Sequence, residues 1–171
     1  MKRIEAMLNY LEEEMEKTVD AHIQWLEQGE FPEVEEVFQW LSEELKSLEK
    51  DCLVISFLRS SYITGSHRFK LAVYEGEPFI EKTPLHKMLP LEFLYQDSNE
   101  ELNRLMGILK KKFMNITEAE QELIRQHYLE VLYQSSEVLF KRTIESVSEN
   151  IGKIKIFFGE EMGEIQEIGV F

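Results

Sequence analysis

The chain has 171 residues, 43% of them hydrophobic and 30% charged, with eleven Phe, six Tyr and two Trp, an apolar content that excludes intrinsic disorder and a length that fits one domain over residues 1–171. Its net charge of −14 repels phosphate backbones and anionic headgroups, which argues against general nucleic-acid and membrane partners. The single cysteine, Cys52, rules out an internal disulfide and a Cys-based zinc cluster; with no signal-like start and no apolar run of about 18 residues, a cytoplasmic location is expected.

From Ile4 the apolar residues recur at Leu8, Leu11, Met15, Val19, His22 and Leu26, while Glu12, Glu13 and Glu14 face away, the spacing of an amphipathic helix. Gly29 and Pro32 punctuate its end. A second stripe (Val34, Val37, Phe38, Leu41, Leu45, Leu48) follows so closely that two antiparallel helices are expected. The period then changes: LVISFLRSSYI (53–63) is rich in β-branched and aromatic residues, and RFKLAVY (68–74) alternates strictly. Between them Gly65 and Ser66 fit a two-residue type II′ turn, which needs positive φ at its first position. In that hairpin Tyr62 faces Phe69, Ser60 faces Leu71 and Leu58 faces Val73, so Arg59, Ser61, Arg68, Lys70 and Tyr74 share the face opposite the apolar one.

Residues 76–98 carry three prolines and read as an irregular crossing with a short helical turn after Pro90. Ser98 with Glu101 has the capping-box pattern and opens a third helix through Leu102, Leu105, Met106, Leu109 and Phe113; Thr117 with Glu120 repeats it and opens a long fourth helix to about Asn150. KIKIFF (153–158), GEEMG (159–163) and EIQEIGVF (164–171) read as a second hairpin in which Ile165 and Ile168 break the alternation. The expected fold is α+β, four main α-helices packed on an antiparallel sheet formed by the two β-hairpins, in the order αα-ββ-αα-ββ.

Charge is uneven along the chain. Residues 1–51 hold 5 Lys/Arg against 15 Asp/Glu, a net −10; residues 52–114 hold 9 against 7, a net +2; residues 115–171 hold 5 against 11, a net −6. The cationic hairpin face of Arg59, Arg68 and Lys70, with the hydroxyls of Ser61 and Tyr74, is therefore the candidate for an anionic ligand, set against simple pairing with the abundant glutamates. His22 and His127 lie on or near apolar stripes and read as hydrogen-bonded core histidines, since no His-x-x-x-His or Glu-x-x-His pair suggests a metal; His67 and His86 read as solvated loop residues. Cys52, beside Asp51, reads as a packed, inert thiol. Nucleophile-elbow, phosphate-loop, dinucleotide, zincin and EF-hand patterns are all missing, and Lys110, Lys111 and Lys112 suit the end of a helix.

The glutamate face formed by Glu12, Glu13, Glu14, Glu16, Glu35, Glu36, Glu43 and Glu44 could dock a basic partner, and Trp25 and Trp40 beside the two stripes are candidate interface residues. The sequence thus leads to a non-catalytic cytoplasmic interaction or regulatory module without catalytic residues, metal or cofactor, self-associating or bound to a protein partner through its acidic helices. The alternative is a small-molecule domain or enzyme using the cationic hairpin face.

Overall fold

A computed structural model of the chain describes residues 2–45, 50, 52–80, 85–147 and 154–170. In chain order it contains α1 (Lys2–Gln28), α2 (Pro32–Leu45), β1 (Cys52–Phe57), the short α3 (Arg59–Thr64), β2 (Arg68–Tyr74), β3 (Leu85–Pro90), a 3-10 turn (Glu92–Tyr95), α4 (Ser98–Lys110), α5 (Glu118–Ser135), α6 (Glu137–Val147), β4 (Lys155–Glu160) and β5 (Ile165–Val170). The class is α+β as expected, but the sheet is mixed and has five strands, in the order β3-β2-β1-β4-β5.

The central pairing overturns the purely antiparallel, two-hairpin sheet: β1 runs antiparallel to β2 and parallel to β4, with Leu53 beside Ile156 and Ile55 beside Phe158. Every residue of β1 is buried. A strand flanked on both edges and covered on both faces needs no polar alternation, which is why CLVISF reads as a continuous apolar run. Parallel neighbours also require a long crossover, and three helices, α4 to α6, lie between β3 and β4.

The Gly65-Ser66 hairpin turn gives way to α3. Gly65 does have positive φ (63°), but as the left-handed C-cap of α3, its N–H donating to the Ser61 carbonyl at 2.9 Å. Phe57, not Tyr62, therefore faces Phe69, and Tyr62 turns inward to stack on Tyr133 with ring centroids 5.5 Å apart. The wide connection is closed by Ser61, whose buried hydroxyl accepts from the Arg68 backbone N–H at 3.1 Å. Further corrections follow the same logic of local partners. LHKMLP pairs as edge strand β3, where Pro90 at the strand end breaks no internal ladder. Asp97 rather than Ser98 caps α4, without a side-chain bond to it. The Thr117–Glu120 capping box is formed, yet the long fourth helix divides at Ser136, and its expected end at residues 148–150 lies outside the described residues. The broken alternation of β5 is a bulge: the register with β4 shifts between Ile156 and Phe157, so Ile168 reaches the main core while Ile165 packs on the other face.

The helices bury their stripes on the sheet face that carries Leu53, Ile55, Phe57, Phe69, Leu71 and Val73. The opposite face is a smaller cluster of Cys52, Val54, Ala72 and Tyr74 under Phe79, Phe157 and Ile165. Arg142 of α6 fastens the end of α1, donating to the Glu27 and Gly29 carbonyls at 2.5 and 2.6 Å with its guanidinium over the Phe31 ring. The parallel register is testable, because Cys52 and Lys155 are Cα partners on one face. Lys155→Cys is expected to lose both free thiols on mild oxidation and to unfold at higher urea when oxidised than when reduced. Two titratable thiols persisting after oxidation would contradict the β1–β4 pairing.

Candidate functional site

Of the residues proposed for an anion site, Arg59, Ser61, Arg68 and Lys70 lie around the α3–β2 junction, the Ser61 hydroxyl accepting from the Arg68 N–H, and Tyr74 stands apart from them. Arg59 and Ser61 lie on α3 rather than on a strand, Arg68 is exposed at the start of β2, and Tyr74 is buried at the strand's other end, roughly 20 Å away. Arg59 Nε sits 3.0 Å from Glu160 Oε1 and Lys70 Nζ 2.6 Å from Glu161 Oε1, so both charges already face carboxylates. Tyr74 packs edge-on against Phe79 at 5.8 Å. Of the two tryptophans, Trp40 lies under Lys87, whose Nζ is 4.4 Å from its ring centroid, whereas Trp25 is 43% exposed.

The structure gathers a different group of residues around a cleft of about 580 Å³ between α1, α4, α5 and the 3-10 turn. Positions 14, 18, 21 and 25 of α1 supply Glu14, Thr18, Ala21 and Trp25 at steps of three and four, one helical face just beside the apolar stripe. The same spacing sets Asp97, Glu101 and Arg104 along the start of α4, and Tyr128 and Leu132 on α5. Phe93 and Tyr95 enter from the turn.

One wall is electrostatic. Arg104 Nε donates to Glu101 at 2.9 Å, its two terminal nitrogens to Glu14 at 2.7 Å and to Thr18 Oγ1 at 3.0 Å, and Lys17 reaches Glu13 and Glu14 at 2.8 and 3.0 Å. Arg104 first, then Lys17, hold the Glu14 carboxyl below the usual carboxylate range. The arginine thereby ties α1 to α4 across one side of the cleft.

The floor is aromatic and belongs to the core. Tyr95 is fully buried, its hydroxyl hydrogen-bonded to Ser136 at the α5–α6 break, and burial raises its pKa far above the ordinary phenol value. Its ring packs against two imidazoles, His22 at 5.6 Å and His67 at 5.0 Å, with Tyr133 edge-on at 5.1 Å. His67, expected in solvent, is buried with Nδ1 2.8 Å from the Tyr133 hydroxyl, and desolvation lowers its pKa against a weaker opposing pull from Glu92. His22, expected to be hydrogen-bonded, has a buried Nε2 with no partner, and burial brings its pKa down to about 4. Tyr128 is pushed up to about 12, first by burial and then by Glu101 and Asp97, and stays a neutral hydroxyl at physiological pH. Among the described residues no group of three His, Cys, Asp or Glu side chains is arranged to hold a metal ion.

Comparison with protein-family models, with curated proteins and with solved structures finds no match to the chain.

The two neutral histidines set a pH dependence. Unfolded, each takes up a proton near pH 6.5; folded, each resists it. The unfolded state thus binds more protons below that pH, so stability is complete above about pH 6.5 and falls as the pH drops toward about 4 for His22. His22→Phe removes the orphaned nitrogen and keeps the ring stack. Urea unfolding is expected to show a gain of about 1 kcal/mol at pH 7 and a shallower loss between pH 6.5 and 4; a variant with the same acid profile as the parent would contradict the burial of a neutral His22.

Proposed function

We propose that the chain is a non-catalytic binding module whose ligand enters the cleft between α1, α4 and α5. The observation that carries this reading is the combination of a cavity in the size range of ligand sites with a rigid aromatic floor, a polar rim and an exposed tryptophan at its edge. The floor is fixed by core packing, so little ordering is required on binding. A cytoplasmic location goes with it, since Cys52 is a buried thiol outside any disulfide, as a reducing compartment permits.

Self-association or docking of a protein through the acidic helices is the second reading. It draws on Trp25, whose exposed ring lies on the same face of α1 as Glu14 and Lys17; Trp40, covered by Lys87, adds nothing to it. Both readings place the contact at the mouth of one cleft.

A fragment screen by two-dimensional NMR tests the first reading. Binders are expected to move the Trp25 indole N–H, assigned with Trp25→Phe, and at one hundred times Kd to stabilise the fold by about 2.7 kcal/mol. Fragments that bind without touching Trp25, or a library with no binder, would overturn it. Sedimentation across a hundredfold concentration range separates the second: a mass fixed at one chain removes self-association and leaves the cleft.

A further inference from the structure

Resting on that reading, we infer that the cleft selects an organic cation, an alkylammonium or guanidinium group, over neutral and anionic ligands of the same size. Three independent features lead there. The first is which lining charges are already spent. Lys17 is engaged by Glu13 and Glu14, and Arg104 by Glu14, Glu101 and Thr18, so neither lining cation is left for an anion. Asp97 is different. Its carboxylate makes no bond to the amides of α4 and has no cationic partner among the described residues.

The second feature is the aromatic surface. Among the described residues the fold already places a cation over other rings: Lys87 over Trp40, Lys112 over Tyr10 at 4.1 Å and Phe113 at 6.0 Å, and Arg142 over Phe31 at 5.7 Å. Trp25, the best ring type for such contacts, has no cation over it among the described residues and is 43% exposed. Trp25, flanked by His22 and Phe31 at 5.6 and 5.0 Å but still partly open, and Asp97 both line the cleft, so a ligand there meets indole surface and an unpaired carboxylate, the pair of groups that recognises ammonium and guanidinium.

The third feature is the field. A net −14, with −10 in residues 1–51 that include α1, concentrates cations and repels anions near this face. One element opposes it: the N-terminus of α4 opens on the cleft and by itself favours an anion. Its first turn already carries Glu100 and Glu101, whose carboxylates answer that pole.

The experiment titrates the full chain with benzyltrimethylammonium, benzyl alcohol and benzoate, following the Trp25 indole resonance at low salt. A second arm uses an acetylated Gly-Lys-Gly amide, to separate a small organic ammonium from the lysine side chain of a basic peptide. Benzyltrimethylammonium or the peptide is expected to bind at least about fivefold more tightly than benzyl alcohol, with benzoate weakest. Asp97→Asn, which keeps a good capping residue, is expected to erase most of that preference while leaving the far-UV spectrum unchanged. Equal or tighter binding of benzyl alcohol or benzoate overturns the cation preference and leaves the cleft standing. If no probe moves Trp25, both fall; if the preference survives in Asp97→Asn, the assignment to Asp97 is wrong.

Discussion

Tyr95 has its ring against both the sheet and the helices and its hydroxyl in a place with one partner. Phe69 of the sheet stacks on it at 6.4 Å, Tyr133 of α5 meets it edge-on, and His67 and His22 of α1 pack against it at 5.0 and 5.6 Å. A phenol buried this deeply costs about 1–3 kcal/mol if its hydroxyl is left unbonded. Ser136 removes that cost, and it sits at the point where the long helical segment divides into α5 and α6. Sheet, helix break and cleft floor thus meet at one side chain. The neighbouring His67–Tyr133 bond extends the same polar network inside an otherwise aromatic core.

The cleft inherits its shape from that network. Its floor is core, its α1–α4 wall is spanned by the Arg104 guanidinium, and its mouth carries the partly exposed Trp25. Surface ion pairs are worth little as stabilisers, so Arg104 is better understood as setting the spacing of α1 and α4 than as holding them together. By occupying Glu14 and Glu101 it leaves Asp97 as the lining carboxylate without a cationic partner among the described residues.

Much of the architecture was legible wherever a single element carries its own signal. The α1 stripe, the Thr117–Glu120 box and the alternation of RFKLAVY each correspond to elements present in the structure. Long-range pairing was not legible. CLVISF is apolar throughout because β2 and β4 flank it and both faces are covered, and no local pattern says that one neighbour arrives parallel after three helices. Gly65 was correctly singled out for positive φ, but that conformation serves a helix C-cap as readily as a hairpin turn. The site was harder still, because its residues come from four segments. The three- and four-residue steps of Glu14, Thr18 and Trp25, and of Asp97, Glu101 and Arg104, were present in the sequence, yet on an acidic helix such steps look like a solvated face. The buried His67 was concealed by its place in a turn; only Tyr133, 66 residues away, gives it a reason to be inside.

The central claim is that core and cleft are one cooperative structure joined at Tyr95. It is tested most directly by unfolding Tyr95→Phe in urea in a Trp40→Phe background, so that Trp25 is the sole tryptophan reporter, and following fluorescence and far-UV circular dichroism together. The variant should lose about 1–2 kcal/mol with the two transitions superimposed. Unchanged stability, or a Trp25 transition that precedes the loss of helix, would show that the cleft is built independently of that hydroxyl.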